Sequence, residues 1–254
     1  QAAKTKTTER LQLALVSAYE TSGKLEDALS VVNALVKAFP GVGGYYRMGS
    51  VLGRLERFDE AAAALQRALR MDPSHALAQY QLGATLMRLG RTEEAIAAWE
   101  GACKNAPEDA SLKAALGFGY LKVGRNKEAG VACADAVQLG LRDVDTLMSF
   151  AKLFERLDRR EDAVAAYRRV GEVDPDNAAA MARLGENLME LRRYQEALDP
   201  YQQALLSNAN DASVRYGLGI CYANLGQDAA ARAQYTALKK LDEDLAEELA
   251  WVIE

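Results

Sequence analysis

Catalysis and metal binding need particular side chains at particular spacings, and the 254 residues hold few such sets. There is one histidine, His75, close after Pro73, with no second histidine to share a metal and no serine or cysteine motif beside it. Cys103, Cys133 and Cys221 fall at no regular spacing and form no CxxC pair. They imply neither a disulfide framework nor a zinc site, and read as small buried apolar residues. No GxxxxGKS, GxxxxGKT, GxGxxG, HExxH or GxSxG string occurs, and the GVGG at 41–44 is too short to cradle a phosphate. The 36 Asp and Glu are spread along the chain, where carboxylates are ordinarily solvated, so no catalytic pair stands out. We therefore expect no catalytic residue, no metal site and no cofactor.

Half of the residues are apolar and the net charge is −5. A chain of that sign is not drawn as a whole to nucleic acid or to anionic lipid, so no nucleic-acid partner is expected. No apolar run approaches the ~18 residues that cross a bilayer. The chain starts at Gln1 rather than at methionine, which points to a removed tag, upstream domain or signal peptide. The expected compartment is accordingly cytoplasmic, or periplasmic or secreted if a signal peptide precedes Gln1.

What organises the chain is a period. Alanine returns at Ala28, Ala61, Ala95, Ala129, Ala163, Ala197 and Ala231, with steps of 33 and then 34 residues. A fixed period of this size marks stacked supersecondary units, since one unit cannot bury its apolar face alone. Apolar residues recur at intervals of three and four on both sides of a break marked by glycine or charge, which predicts two helices per unit. Gly23, Gly90, Gly124 and Gly226 end first helices, and acids such as Glu93, Glu94 and Glu128 open second ones. Pro40, Pro73, Pro107 and Pro175 close units. Gly49, Gly83, Gly117, Ala151, Gly185 and Gly219 hold one place in the first helix, and the recurring alanine is expected to face them. Leu65, Trp99, Tyr167, Tyr201 and Tyr235 are expected to fill the next layer.

The predicted boundaries are a polar lead-in over 1–8, then units over about 9–41, 42–75, 76–109, 110–143, 144–177, 178–211 and 212–245. A capping helix begins near 241 and runs on through 246–254, with Leu241, Leu245, Leu249 and Val252 on one stripe. Two irregularities stand out. The run Pro40 to Gly44 is too rich in glycine to start a helix well, giving a frayed start or a hinge. Pro200 lies inside a second helix and is expected to bend it.

Leu82-Gly83, Ala95, Trp99 and Pro107 in the third unit, and Leu184-Gly185, Tyr194, Ala197 and Tyr201 in the sixth, resemble the tetratricopeptide repeat pattern over about residues 9–245. Departures include Val16 and Ala151 at the glycine place, and Leu141, Ala209 and Glu243 where proline is usual. The resemblance implies an all-α fold, a right-handed α-solenoid of about seven helix-turn-helix repeats with a C-terminal capping helix. It also implies that first helices build a concave groove for a protein or peptide partner. The positions it marks include Tyr46, Arg47, Arg54, Tyr80, Met87, Arg88, Phe118, Lys122, Met148, Lys152, Arg156 and Arg183. Arg54, Arg88, Lys122 and Arg156 share one place in successive units, so a basic row beside Tyr46, Tyr80 and Phe118 suits a partner with acidic and apolar residues. Some members of this family grip the carboxylate of chaperone tails. No three consecutive units here carry that lysine and asparagine set, although Ser50 and Gln81 lie nearby. The expected function is a non-enzymatic interaction scaffold. Rival readings are a recognition arm of a larger enzyme, such as a glycosyltransferase carrying such repeats, and a self-associating structural protein forming a homo-oligomer.

Overall fold

The computed structural model describes residues 2–254, with side chains from Thr8 onward apart from Glu9. Among the described residues every regular element is an α-helix. The helices come in antiparallel-type pairs along the chain: α1 (Ala2–Thr21) with α2 (Leu25–Ala38), α3 (Val42–Arg54) with α4 (Phe58–Met71), α5 (Ala76–Arg88) with α6 (Thr92–Asn105). There follow α7 (Ala110–Lys122), α8 (Asn126–Gln138), the pairs α9 (Val144–Arg156) with α10 (Arg160–Val173), α11 (Ala178–Glu190) with α12 (Tyr194–Ser207), and α13 (Ala212–Asn224) with α14 (Asp228–Leu238), and finally α15 (Glu243–Ile253). The chain divides into two compact units, Gln1–Ala132 and Cys133–Glu254.

The ends of the helices repeat their chemistry as faithfully as their interiors. His75, Asp109, Asp143, Asn177 and Asp211 stand 34 residues apart, and each accepts a hydrogen bond from a backbone N–H in the first turn of the helix it opens. The lone histidine is thus a helix cap: its Nδ1 accepts from the Ala78 amide at 3.1 Å, and its ring stacks at a tilt on Tyr46, 5.2 Å between centroids. Second helices use a different device. Arg57, Arg91, Arg125, Arg159 and Arg193 precede them, and each donates to a carboxylate three residues on, Glu60, Glu94, Glu128, Asp162 or Glu196, at 2.6–2.8 Å. The acid lies where the helix dipole favours negative charge, and the arginine holds it there. Glu196, which also accepts from Arg168, is held down to about 2 by its hydrogen bonds to Arg193 and Arg168.

Between first and second helices the backbone must turn left-handed once. Gly23, Gly90, Gly124 and Gly226 do so, as their sequence positions predict. At the same place in the other pairs stand Glu56, Asp158 and Arg192, with φ of 59°, 54° and 58°. These three carry a side chain into a conformation that favours glycine.

Packing follows the period. All seven recurring alanines are fully buried. Gly49, Gly83 and Gly185 are filled by the large residue of the second helix more than by the alanine. A Cβ on Gly49 would come within 2.8 Å of Leu65 Cδ2, and one on Gly185 within 2.7 Å of the Tyr201 ring. Trp99 lodges against Gly83 of its own pair and Gly119 of α7, and its Nε1 donates to the Tyr80 carbonyl at 3.0 Å. Tyr201 is wedged in the same way between Gly185 and Gly217. Burying a side chain of this size contributes on the order of 2–3 kcal/mol, and the glycines let it approach backbone.

Several sequence expectations are corrected. α1 starts at Ala2, so the stretch expected as a polar lead-in over 1–8 is mostly helical, in keeping with its alanines and lysines. The glycine run does start a helix: α3 begins at Val42, and buried Gly44 lets α2 approach, since a Cβ there would lie 2.9 Å from Val36 Cγ1. In α15 the buried stripe is Ala246 and Leu249, flanked by Leu245 and Ile253, whereas Leu241 and Val252 are exposed. Tyr235 is only half-buried, and Gly219 is filled instead by Leu249 from α15. Cys133 and Cys221 are buried, their thiols pushed up to about 12 by burial, while Cys103 is partly exposed.

Two outcomes test this account. Glu56→Gly and Arg192→Gly should each stabilise the protein by up to about 1 kcal/mol in urea unfolding, and Asp158→Gly by less, because aspartate tolerates the left-handed region better. Gly83→Ala should destabilise by about 1–3 kcal/mol, because its methyl meets the Trp99 indole; an unchanged midpoint would show that the indole moves aside freely.

Candidate functional site

In the first unit α3 touches α5, and α5 touches α7, so the first helices form a face of their own beside their pairing with second helices. An open cavity of about 350 Å³ lies on it between α3 and α5, lined by Ser50, Arg54, Phe58, Gln81, Thr85 and Arg88 among others. Its charges are only partly answered from within. Glu20, at the end of α1 and 7% exposed, accepts from Arg47 Nη1 at 3.3 Å and from Ser50 Oγ at 3.4 Å, with Arg54 at 3.9 Å. Arg88 lies 4.9 Å over the Phe58 ring and 3.7 Å from Glu56. Both Arg54 and Arg88 keep about half or more of their side chain in solvent, at 48% and 64%. Gln81 donates weakly to Ser50 at 3.5 Å, and its Oε1 is buried without a partner among the described residues.

The second unit repeats part of this arrangement with different charge. Glu155, on α9, occupies the place that Glu20 holds on α1, each three residues before the left-handed turn; Arg183 and Arg47 likewise correspond, nine residues before it. Arg183 donates to Glu155 and to Glu186 at 2.6 Å each, and Asn187 Nδ2 donates to Glu155 at 2.7 Å. Here a cavity of about 360 Å³ is lined by Glu155, Glu186, Asn187, Glu190, Tyr201 and Tyr216 among others. Burial holds the Glu186 carboxyl above its usual range, followed in effect by Arg183, which opposes, and by the like charge of Glu155. The Tyr216 hydroxyl is also raised, first by burial and then by Glu248 of α15.

The structure sorts the residues marked by sequence into three groups. Tyr46, Tyr80 and Met87 pack half-buried against the core of the first unit, and so serve as walls more than as free contacts. Arg47, Arg54 and Arg88 are engaged by Glu20 or Glu56, and Arg183 by two carboxylates, so the expected basic row is partly neutralised from within. Phe118, Lys122, Lys152 and Arg156 are exposed, and Met148 is partly buried. Sequence reasoning missed Glu20, Phe58, Thr85 and Asn187. Asn187 had a signal: the corresponding place elsewhere holds Val51, Thr85, Gly119, Leu153 and Cys221, and a large buried amide breaks that series. Among the described residues no three His, Cys, Asp or Glu side chains gather as a metal site would require, and no helix is long and apolar enough to cross a membrane.

Comparison with known proteins agrees with this architecture. A family model described as tetratricopeptide repeat matches residues 46–110, 148–210 and 183–246. The chain is 30% identical over 84 residues to the peroxisomal targeting signal receptor of Candida albicans, covering 33% of this chain and 14% of that protein. It spans between 7% and 14% of the length of the curated relatives it matches. Among solved structures it is similar to pilF of Pseudomonas aeruginosa, with a TM-score of 0.63 at 16% identity, covering 84% of this chain and 97% of that one. It is also similar to YrrB, described as a TPR protein with an unusual peptide-binding site, with a TM-score of 0.52 at 20% identity over 74% of this chain and 97% of that one. At these identities the two structures speak to fold alone. The family model covers more than half of the chain, in register with the helix pairs, the buried alanines and the glycine contacts, and the chain belongs to the tetratricopeptide repeat family.

Proposed function

We propose that this protein-interaction scaffold is non-enzymatic and takes a peptide or partner segment along the face of its first helices, with acidic residues of the partner meeting the first unit. The observation that carries this reading is the open cavity between α3 and α5, where two half-solvated guanidiniums, Arg54 and Arg88, stand over Ser50, Gln81 and the Phe58 ring. Their internal partners lie at 3.9 Å and 3.7 Å, long for a charge-assisted bond, so an incoming carboxylate competes on favourable terms. The Gln81 amide and the Ser50 hydroxyl add neutral polar contacts beside them. Exposed Lys122 and Phe118 on α7 extend the same chemistry within the unit. A receptor for a targeting signal among the relatives supports a peptide segment as the ligand.

Because half-buried Tyr46 and Tyr80 hold the core, truncating them would test folding rather than binding. The arginines are the cleaner probe. Peptides selected from a random display library on the whole chain should be enriched in Asp and Glu. The Arg54→Glu/Arg88→Glu variant should bind them at least tenfold more weakly and with a flatter dependence on salt. Selected peptides that carry no acidic bias, or that bind the folded variant as they bind the parent, would move the site off this face.

A further inference from the structure

We propose that the cavity of the second unit is a separate subsite for a cationic side chain, a lysine ammonium or an arginine guanidinium, of a bound partner segment. This rests on the reading of the first-helix face as the partner site, and gives that face a second, opposite preference. Three carboxylates, Glu155, Glu186 and Glu190, line the cavity against two arginines. Of those arginines Arg183 is committed, bridging Glu155 and Glu186 at 2.6 Å each, while the charge of Arg160 is offset by Asp158, 3.5 Å away. One guanidinium set between two carboxylates leaves an excess of negative charge, and Glu190 adds to it from an exposed position. Asp211 and Glu248 act in the same direction, on Glu186 and on Tyr216 respectively.

A cluster of acids alone would be a solvated surface; Asn187 makes it more than that. It is 1% exposed and lines the cavity, its Nδ2 is spent on Glu155 and on the Arg183 carbonyl, and its Oδ1 has no hydrogen-bond partner among the described residues. A buried acceptor without a donor is destabilising until a donor reaches it, and the Arg183 guanidinium beside it is already engaged by Glu155 and Glu186. A ligand cation supplies the missing donors, since an ammonium carries three and a guanidinium five, and none of them accepts. The Tyr216 and Tyr201 rings and Met189 give the aliphatic stem of such a side chain apolar walls. A carboxylate ligand has the opposite fit: it would face Glu186 and Glu190 and leave Asn187 Oδ1 as it is.

The experiment is an NMR titration of the whole chain with four short probes, acetyl-Ala-Xaa-Ala-amide with Xaa as lysine, arginine, norleucine or glutamate. The lysine or arginine probe should shift the Asn187 side-chain amide and the Tyr216 ring at concentrations where norleucine and glutamate do not. Which of the two cations shifts them further identifies the preferred one. Glu190→Lys, a change at an exposed position, should abolish the shift, and Glu190→Gln should weaken the probe at least threefold. Asn187 and Tyr216 resonances that ignore both cationic probes, that respond equally to glutamate, or that respond unchanged in folded Glu190→Lys would overturn the proposal. A result of that kind, together with acidic peptides still lost in the Arg54→Glu/Arg88→Glu variant, removes this subsite and leaves the scaffold reading standing. Loss of both removes both.

Discussion

The fold depends on one repeated contact, a bulky side chain of a second helix pressed onto bare backbone of a first helix. Leu65 on Gly49, Trp99 on Gly83 and Tyr201 on Gly185 are three instances, and in each a single methyl group on the glycine would collide. The contact fixes how closely two helices approach, and the fully buried alanines beside it are small for the same reason. Trp99 and Tyr201 also reach the next first helix at Gly119 and Gly217, so one side chain sets the spacing inside a pair and between pairs. Caps and turns then have little freedom: with spacing set, each helix must start and stop within a residue or two of the same place. The 34-residue recurrence of His75, Asp109, Asp143, Asn177 and Asp211 at helix starts is that requirement made visible.

The left-handed turn shows how much irregularity the contact tolerates. Four of the pairs use glycine there, while Glu56, Asp158 and Arg192 accept strain at the same spot. A repeat array sums many equivalent interfaces, so a cost of about 1 kcal/mol in one turn is absorbed by the packing on either side of it. The strained turns need not serve binding, and two of them reach a candidate site only through an arginine, Glu56 through Arg88 and Asp158 through Arg160.

The fold was legible because its signal is periodic and local. Alanine, glycine and proline each report a helix contact or end from a single position, and seven registers reinforce one another. The site was legible only in part, since its decisive pairings join residues 27 or 28 apart on neighbouring first helices, such as Arg47 with Glu20 and Arg183 with Glu155. Helical periodicity within one unit says nothing of these. Overlaying the units does: Glu20 and Glu155 fall at one place, and Arg47 and Arg183 at another, whereas the other units put Gly53, Met87, Leu121, Met189 and Ala223 where the acid would be. Exposed tyrosine and arginine were the obvious choice from sequence, but the core claimed part of Tyr46 and Tyr80, and Glu20 and Glu155 engaged Arg47 and Arg183. The run Pro40 to Gly44 misled for a related reason, because glycine that reads as weak helix is here the condition for α2 and α3 to touch.

At α13 and α14 the contact changes its donor. The Gly219 backbone is met by Leu249 of α15, while Tyr235, from its own second helix, stays half-buried, and α14 is 11 residues long where α12 has 14. α15 packs on both α13 and α14, as a following first helix would, and counted from its cap Asp242 it carries Leu249 and Ala250 where earlier first helices carry a bulky residue and then glycine or alanine. The contact on Gly219 is therefore local, needing only α13, α14 and α15. Nothing in it measures how many pairs came before. Duplication or loss of an internal unit upstream of Ala212 would leave this contact intact, and the first-helix face can lengthen or shorten by whole repeats while this contact stays the same.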